Sequence, residues 1–235
     1  MKIPCIWEHN GNDTLLYAAS LPGAYTRGAT PQEAVDKMPA EIRSYLAWAG
    51  LPVEDSLEVI VTEEKASDLT ICDADSDVLF EFEKAPLSKE EYEHLKALAL
   101  KSAEDFEHMY HAIPDVDITS LTLRKTFYGN VPATARQMYE HTKSVTSYYF
   151  AEIDVTADNE GTMVECRRRG FETLEKHPNF LDNPIISGSY GEDWTLRKVL
   201  RRFIWHDRIH ARAMYRMALK QFGSFRIENP FFFTR

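Results

Sequence analysis

The chain has 235 residues, 44% hydrophobic and 27% charged, with 27 Lys+Arg against 37 Asp+Glu and a formal net charge of −10. That length and composition give one or two ordinary domains with buried cores and exclude a disordered polymer. The acidic balance argues against a nucleic-acid binder, because phosphate recognition needs a basic field. No stretch approaches the ~18 apolar residues of a spanning helix, and "MKIPCIWEHNGNDTLLYAAS" lacks the uninterrupted apolar core of a signal peptide. Cys5, Cys72 and Cys166 lie far apart with no C-x-x-C, which fits three unremarkable thiols in a reducing, cytoplasmic setting.

Residues 1–66 alternate short extended runs with turn signals. "IPCIWEH", the turn cluster "NGND" and "TLLYAAS" read as a hairpin, and "LPGAYTRGAT" reads as a tight loop into a short edge strand. Thr30, Pro31 and Glu33 form a capping box with proline at the first helical position. The helix they open, "PQEAVDKMPAEIRSYLAWAG", ends at Gly50 and Pro52, and "SLEVIVTEE" is a last strand. The order is β-β-β-α-β. Residues 67–86 are acidic and mixed, a linker or an extra strand.

From Leu87 the pattern changes to long helical periods. The first helix, "LSKEEYEHLKALALKSAEDFEHMYHAI", opens on a Ser88–Glu91 capping box. Three more follow: "VPATARQMYEHTKSVTSYYFAEI", "GTMVECRRRGFETLEKH" and "WTLRKVLRRFIWHDRIHARAMYRMALKQFG". Four amphipathic helices over residues 87–235 predict a four-helix bundle. The connections before the second and fourth helices exceed simple hairpin loops, which predicts at least one crossover. The expected class is therefore a two-domain α+β chain.

A helical wheel on the fourth helix puts Leu196, Val199, Phe203, Ala213, Met214 and Met217 on one side, with His206 and His210 in the same sector. Arg197, Arg201, Arg208 and Arg212 gather opposite, as a solvated face. On the second helix Met138, Val145 and Tyr149 form the buried stripe, and His141 sits on its flank. A lone histidine on an apolar face is most simply a satisfied core residue. Two at i,i+4 need partners for four ring nitrogens, and a third from a neighbouring helix gives a three-nitrogen facial arrangement, a pattern that fits a metal site with open positions and buried core histidines equally.

Two resemblances sharpen this reading. "LPGAYTRGATPQEAVDKMPAEIRSYL" resembles the HicB-like antitoxin domain, a small partial RNase-H-like fold. The likeness implies a protein partner; the DNA-binding segment that usually follows is replaced here by the helical region. "MYEHTKSVTSYYFAEI" and "TLRKVLRRFIWHDRIHARAMYRMA" resemble the DinB-like family, which includes thiol-dependent transferases grouped with mycothiol-dependent maleylpyruvate isomerase. That resemblance implies a four-helix bundle, frequent dimerisation, and a divalent metal, Zn²⁺ or Ni²⁺, on His141, His206 and His210. It also implies a low-molecular-weight thiol as co-substrate, with a small-molecule substrate it does not name.

Asp207 is a weak candidate to orient a ligand or act as a base. Glu152 shares the inward side of the second helix but lies ~16 Å along it from His141. Tyr148, Tyr149 and Cys166 read as core, Lys143 as solvated, and His108 and His111 as cations favoured at a helix C-terminus. The triple phenylalanine of "NPFFFTR" must be covered, either on the bundle or on a second subunit. Two functional readings follow: a metal-dependent transferase or hydrolase, or a non-enzymatic, antitoxin-related partner-binding protein with a structural or vestigial metal site.

Overall fold

The computed structural model describes residues 1–53, 56–71, 76–126, 129–223 and 227–234. It is a mixed α+β protein that divides into two compact units, Met1–Glu83 with Phe232–Thr234, and Lys84–Phe231.

In the first unit β1 (Lys2–Asn10) and β2 (Asp13–Ala18) form the expected hairpin, closing on the Asn10–Asp13 pair. β3 (Tyr25–Gly28) is an edge strand beside β2. α1 (Pro31–Trp48) crosses over to β4 (Glu58–Ala66), which pairs parallel to β1 and gives the sheet order β3-β2-β1-β4. A parallel pair needs such a crossover, and the helix supplies it. Thr30 accepts from the Glu33 N–H, and the Glu33 carboxylate accepts from Ala29 rather than from the cap residue itself. Ala34, Met38, Ile42 and Tyr45, spaced at helical period, are the buried face of α1. Gly28 has to be glycine: a Cβ there would lie 2.5 Å from the Thr30 carbonyl oxygen and 2.7 Å from the Ala34 nitrogen.

Residues 67–86, expected as a linker or an added strand, hold no strand among their described residues. Ser76, Asp77 and Phe80 instead pack on the sheet. Glu8, fully buried on β1, accepts from Tyr17 Oη at 3.0 Å, Ser76 Oγ at 2.7 Å and the Asp77 N–H at 3.3 Å. Val78 and Phe80 are buried beyond it, before a 3-10 turn at Glu81–Lys84. A buried carboxylate demands donors, and this segment provides two of them. Cys72 falls outside the described residues. Cys5 and Cys166 are buried thiols, and burial pushes that of Cys5 up to about 12, so it is inert.

The second unit is built on α2 (Lys89–His111), α3 (Ala135–Ala151), α4 (Met163–Leu174) and α5 (Leu196–Phe222). Ser88–Glu91, Thr134–Gln137 and Thr162–Glu165 are reciprocal capping boxes. Around the bundle the well-packed neighbours are α2–α5, α5–α3, α3–α4 and α4–α2. The two long connections, α2 to α3 and α4 to α5, therefore join helices that are diagonal or nearly so. At Gly170 α4 comes so close to α3 that a Cβ would lie 2.1 Å from the Phe150 ring.

A plain four-helix bundle is too simple a description. The first long connection carries a ribbon of β5 (Lys125–Thr126) and β6 (Gly129–Asn130). The second carries 3-10 turns at Phe180–Asp182 and Ser189–Gly191 and a ribbon of β7 (Ile186–Ser187) and β8 (Asp193–Trp194).

The arginine side of α5 is not a solvated face. Arg201 and Arg208 are buried, and Arg197 and Arg212 are half-buried. Arg197 donates to the carbonyls of Ala85 and Pro86 and pairs with Glu91, while the Arg208 guanidinium lies 5.9 Å over the Phe231 ring. The wheel missed this because segments remote in sequence cover that side. In the tail, Phe231 and Phe233 are buried and Phe232 is exposed; Phe231 belongs to the helical unit and Phe232–Thr234 to the first unit.

Candidate metal centre

α5 opens on Thr195, whose hydroxyl accepts from the Lys198 N–H, and runs 27 residues, long enough to carry His206 and His210 through the middle of the bundle. α3 passes beside it with His141 in its second turn. The three imidazoles meet: one ligating nitrogen from each lies within 4.8 Å of the other two. Ring centroids are 5.0 Å apart for His141–His206, 4.7 Å for His141–His210 and 4.6 Å for His206–His210. His206 and His210 are half-buried, and His141, exposed, opens the cluster to solvent.

The spacing can be tested against coordination chemistry. Two nitrogens bound to one tetrahedral zinc at ~2.05 Å are about 3.3 Å apart. His141 Nε2 and His206 Nε2 are 3.2 Å apart. The same distance also suits a hydrogen bond between two neutral rings, so geometry admits both. Charge favours neutrality: although one side of His141 meets solvent, packing against α5 desolvates its ring and lowers its pKa below the ordinary value. For His206 burial lowers it well below, helped by His210 and His141 and then by Arg202 and Arg167. Neutral imidazoles are the form that donates a lone pair to a metal. His206 Nδ1 is buried without a hydrogen-bond partner, a polar atom left over in a site of this composition. The donor set fits a divalent ion of the zinc type.

Asp207 does not join the cluster. One residue on from His206, its side chain turns into the opposite interior, fully buried, where Arg167 donates to it at 2.6 and 3.0 Å. Arg167 also donates to the Ala99 carbonyl at 2.9 Å and lies 4.3 Å over Phe203. Burial pushes the Asp207 carboxyl up, and the bidentate guanidinium and Ser102 pull against it. This pair ties α2, α4 and α5 together and leaves the carboxylate no part in chemistry at the histidines.

Glu152 is likewise structural. It is the C-cap residue of α3, buried, and its carboxylate accepts from the Ser189 N–H at 2.6 Å. Tyr149 is buried with its ring edge-on to His206 at 6.1 Å, and Tyr148 is half-buried next to it. Cys166 is core, its thiol directed at the Met163 carbonyl. Lys143 pairs with Glu140 at 3.0 Å, His108 pairs with Glu228 at 2.7 Å, and His111 packs against Tyr110. Two residues near the histidines were not singled out from the sequence. Arg167 had no local signal, but Arg202 stands at i−4 from His206 on the same side of α5, a spacing that marks it as a neighbour of the site.

No protein-family model, curated protein or solved structure matches this chain. Among the described residues no helix is long and apolar enough to cross a membrane.

Proposed function

We propose that the chain is a divalent-metal protein of DinB-like type, with His141, His206 and His210 as ligands, joined to a HicB-like module that binds a protein partner. The observation that carries this reading is the convergence of three imidazoles from two helices, with no carboxylate or thiol among the described residues completing the set. Three protein ligands leave a coordination position for water or substrate, whereas a structural zinc is closed by a fourth. An ion so held supplies Lewis-acid chemistry, lowering the pKa of a bound water to about 7 or ionising a bound thiol. The reaction that fits is displacement of a leaving group from an electrophilic small molecule, by the thiol of a small co-substrate or by water, in a cytoplasmic protein. The histidines' part is to hold that position open, and desolvation favours the neutral form of His141 and His206.

A second reading rests on the 3.2 Å His141–His206 contact: a hydrogen-bonded histidine cluster in a protein whose units only bind partners. Elemental analysis separates the two. The purified chain should carry close to one equivalent of zinc or nickel, and H206A/H210A should carry little. Equal content in both, or none in the wild type after incubation with either ion, supports the cluster without metal.

A further inference from the structure

Where α3 and α4 end and α5 begins, the helical unit holds a cavity of about 150 Å³. Its floor is Ile153 and Val155, just past α3, with Leu174, the last residue of α4, and Leu196, the first of α5, all buried. Phe180 and Ile186 of the α4–α5 connection are its half-buried sides, and the exposed His177 and Asn179 stand at its mouth. The connection is shaped to hold this space open. Asn179 and Asn183 both take the left-handed region, at φ 58° and 56°, a conformation that persists in non-glycine residues only where the surroundings impose it. Asn183 anchors the loop, donating to the Ala85 carbonyl at 2.7 Å and accepting from the Arg197 N–H at 3.1 Å. Phe180 packs edge-on against Tyr92 at 5.0 Å.

Protein interiors close most space of this size, and an apolar cavity of about 150 Å³ is large enough for a benzene-sized molecule. At the mouth the imidazole of His177 and the amide of Asn179 offer donors and acceptors, and among the described residues neither side chain has a hydrogen-bond partner. Apolar walls with a few polar groups at one end are the usual make-up of a small-molecule site. The connection carries Glu175, Asp182, Glu192 and Asp193 against Lys176, a balance that disfavours an anion. We propose that this cavity binds a neutral, single-ring aromatic molecule with one hydrogen-bonding substituent. The ring lies on the aliphatic floor and the substituent meets His177 and Asn179. Leu196 and His206 are ten residues apart on α5, about 15 Å along its axis, so this site is separate from the histidine triad and does not rest on the metal reading.

The test uses the whole chain as purified and three probes: phenol, its apolar isostere toluene, and the anion benzoate. Phenol and toluene should bind saturably in calorimetric titration, with NOEs from probe protons to the methyl groups of Leu174, Ile186 and Leu196. Benzoate should bind at least about fivefold more weakly than phenol. I186W, which fills the cavity, should weaken both neutral probes about tenfold or more. H177A/N179A, confined to the exposed mouth, should lower the phenol-to-toluene affinity ratio about fivefold, the scale of one net hydrogen bond. Absence of saturable binding to the wild type, or NOEs only to residues elsewhere, overturns the proposal even if I186W does not fold. Benzoate binding as tightly as phenol overturns the neutral class of ligand, and an unchanged ratio in H177A/N179A overturns the polar end of the site.

Discussion

Two neighbouring residues of α5 face opposite fates. Asp207 points into the α2–α4 side, where its carboxylate receives two hydrogen bonds from Arg167 and neither partner reaches solvent. His206 points into the α3 side, where it meets two more histidines and its Nδ1 is left without a partner. Successive helical residues lie ~100° apart, so one helix can serve two environments at once. The closed side spends its polar groups on one another and holds the helices in register. The open side brings three imidazoles together, one ligating nitrogen from each within 4.8 Å of the others. A site of this kind depends on the rigidity of the side behind it.

The contrast can be broken first on the closed side. R167A or D207A alone should destabilise the protein by about 3–5 kcal/mol in urea unfolding, because each strands a buried charge. R167M/D207L should recover most of that loss. A double variant as unstable as the singles would mean that the pair is required beyond its own charge balance.

On the open side, zinc should raise the unfolding free energy by about 4 kcal/mol at a thousand times its dissociation constant. H206A/H210A should abolish that increment, and in the metal-free protein it removes a His206 Nδ1 that has no hydrogen-bond partner. Thermal scans with and without metal read both effects.

The metal-free protein should also lose stability on mild acidification. The folded-state pKa values of His141 and His206 lie below those of the unfolded chain. Below about pH 6.5 the unfolded state therefore binds more protons, and stability falls until the folded rings protonate in turn. H141A/H206A should flatten the profile between pH 7 and 5.5; an unchanged slope would assign the loss to other groups. The smallest effect is expected at the start of the helix that serves both sides, where T195A removes a buried cap and should cost about 1 kcal/mol by the same unfolding measurement.

Local signals carried much of this structure. The Thr30–Glu33 and Ser88–Glu91 spacings located two helix starts, and alternating runs located the hairpin and the strand after α1. A wheel sufficed to turn His206 and His210 inward and to place His141 within reach on another helix, because periodicity alone fixes the direction in which a helical side chain leaves its axis. What a side chain then meets is set by segments distant in sequence. The sequence could not show that Arg167 waits for Asp207 forty residues earlier, or that Ser76 and Asp77 turn back to satisfy Glu8. Nor could it show that residues 85–91 and Phe231 cover the arginines of α5. Those pairings depend on how the chain crosses itself, and only the packed tertiary structure decides which polar groups meet.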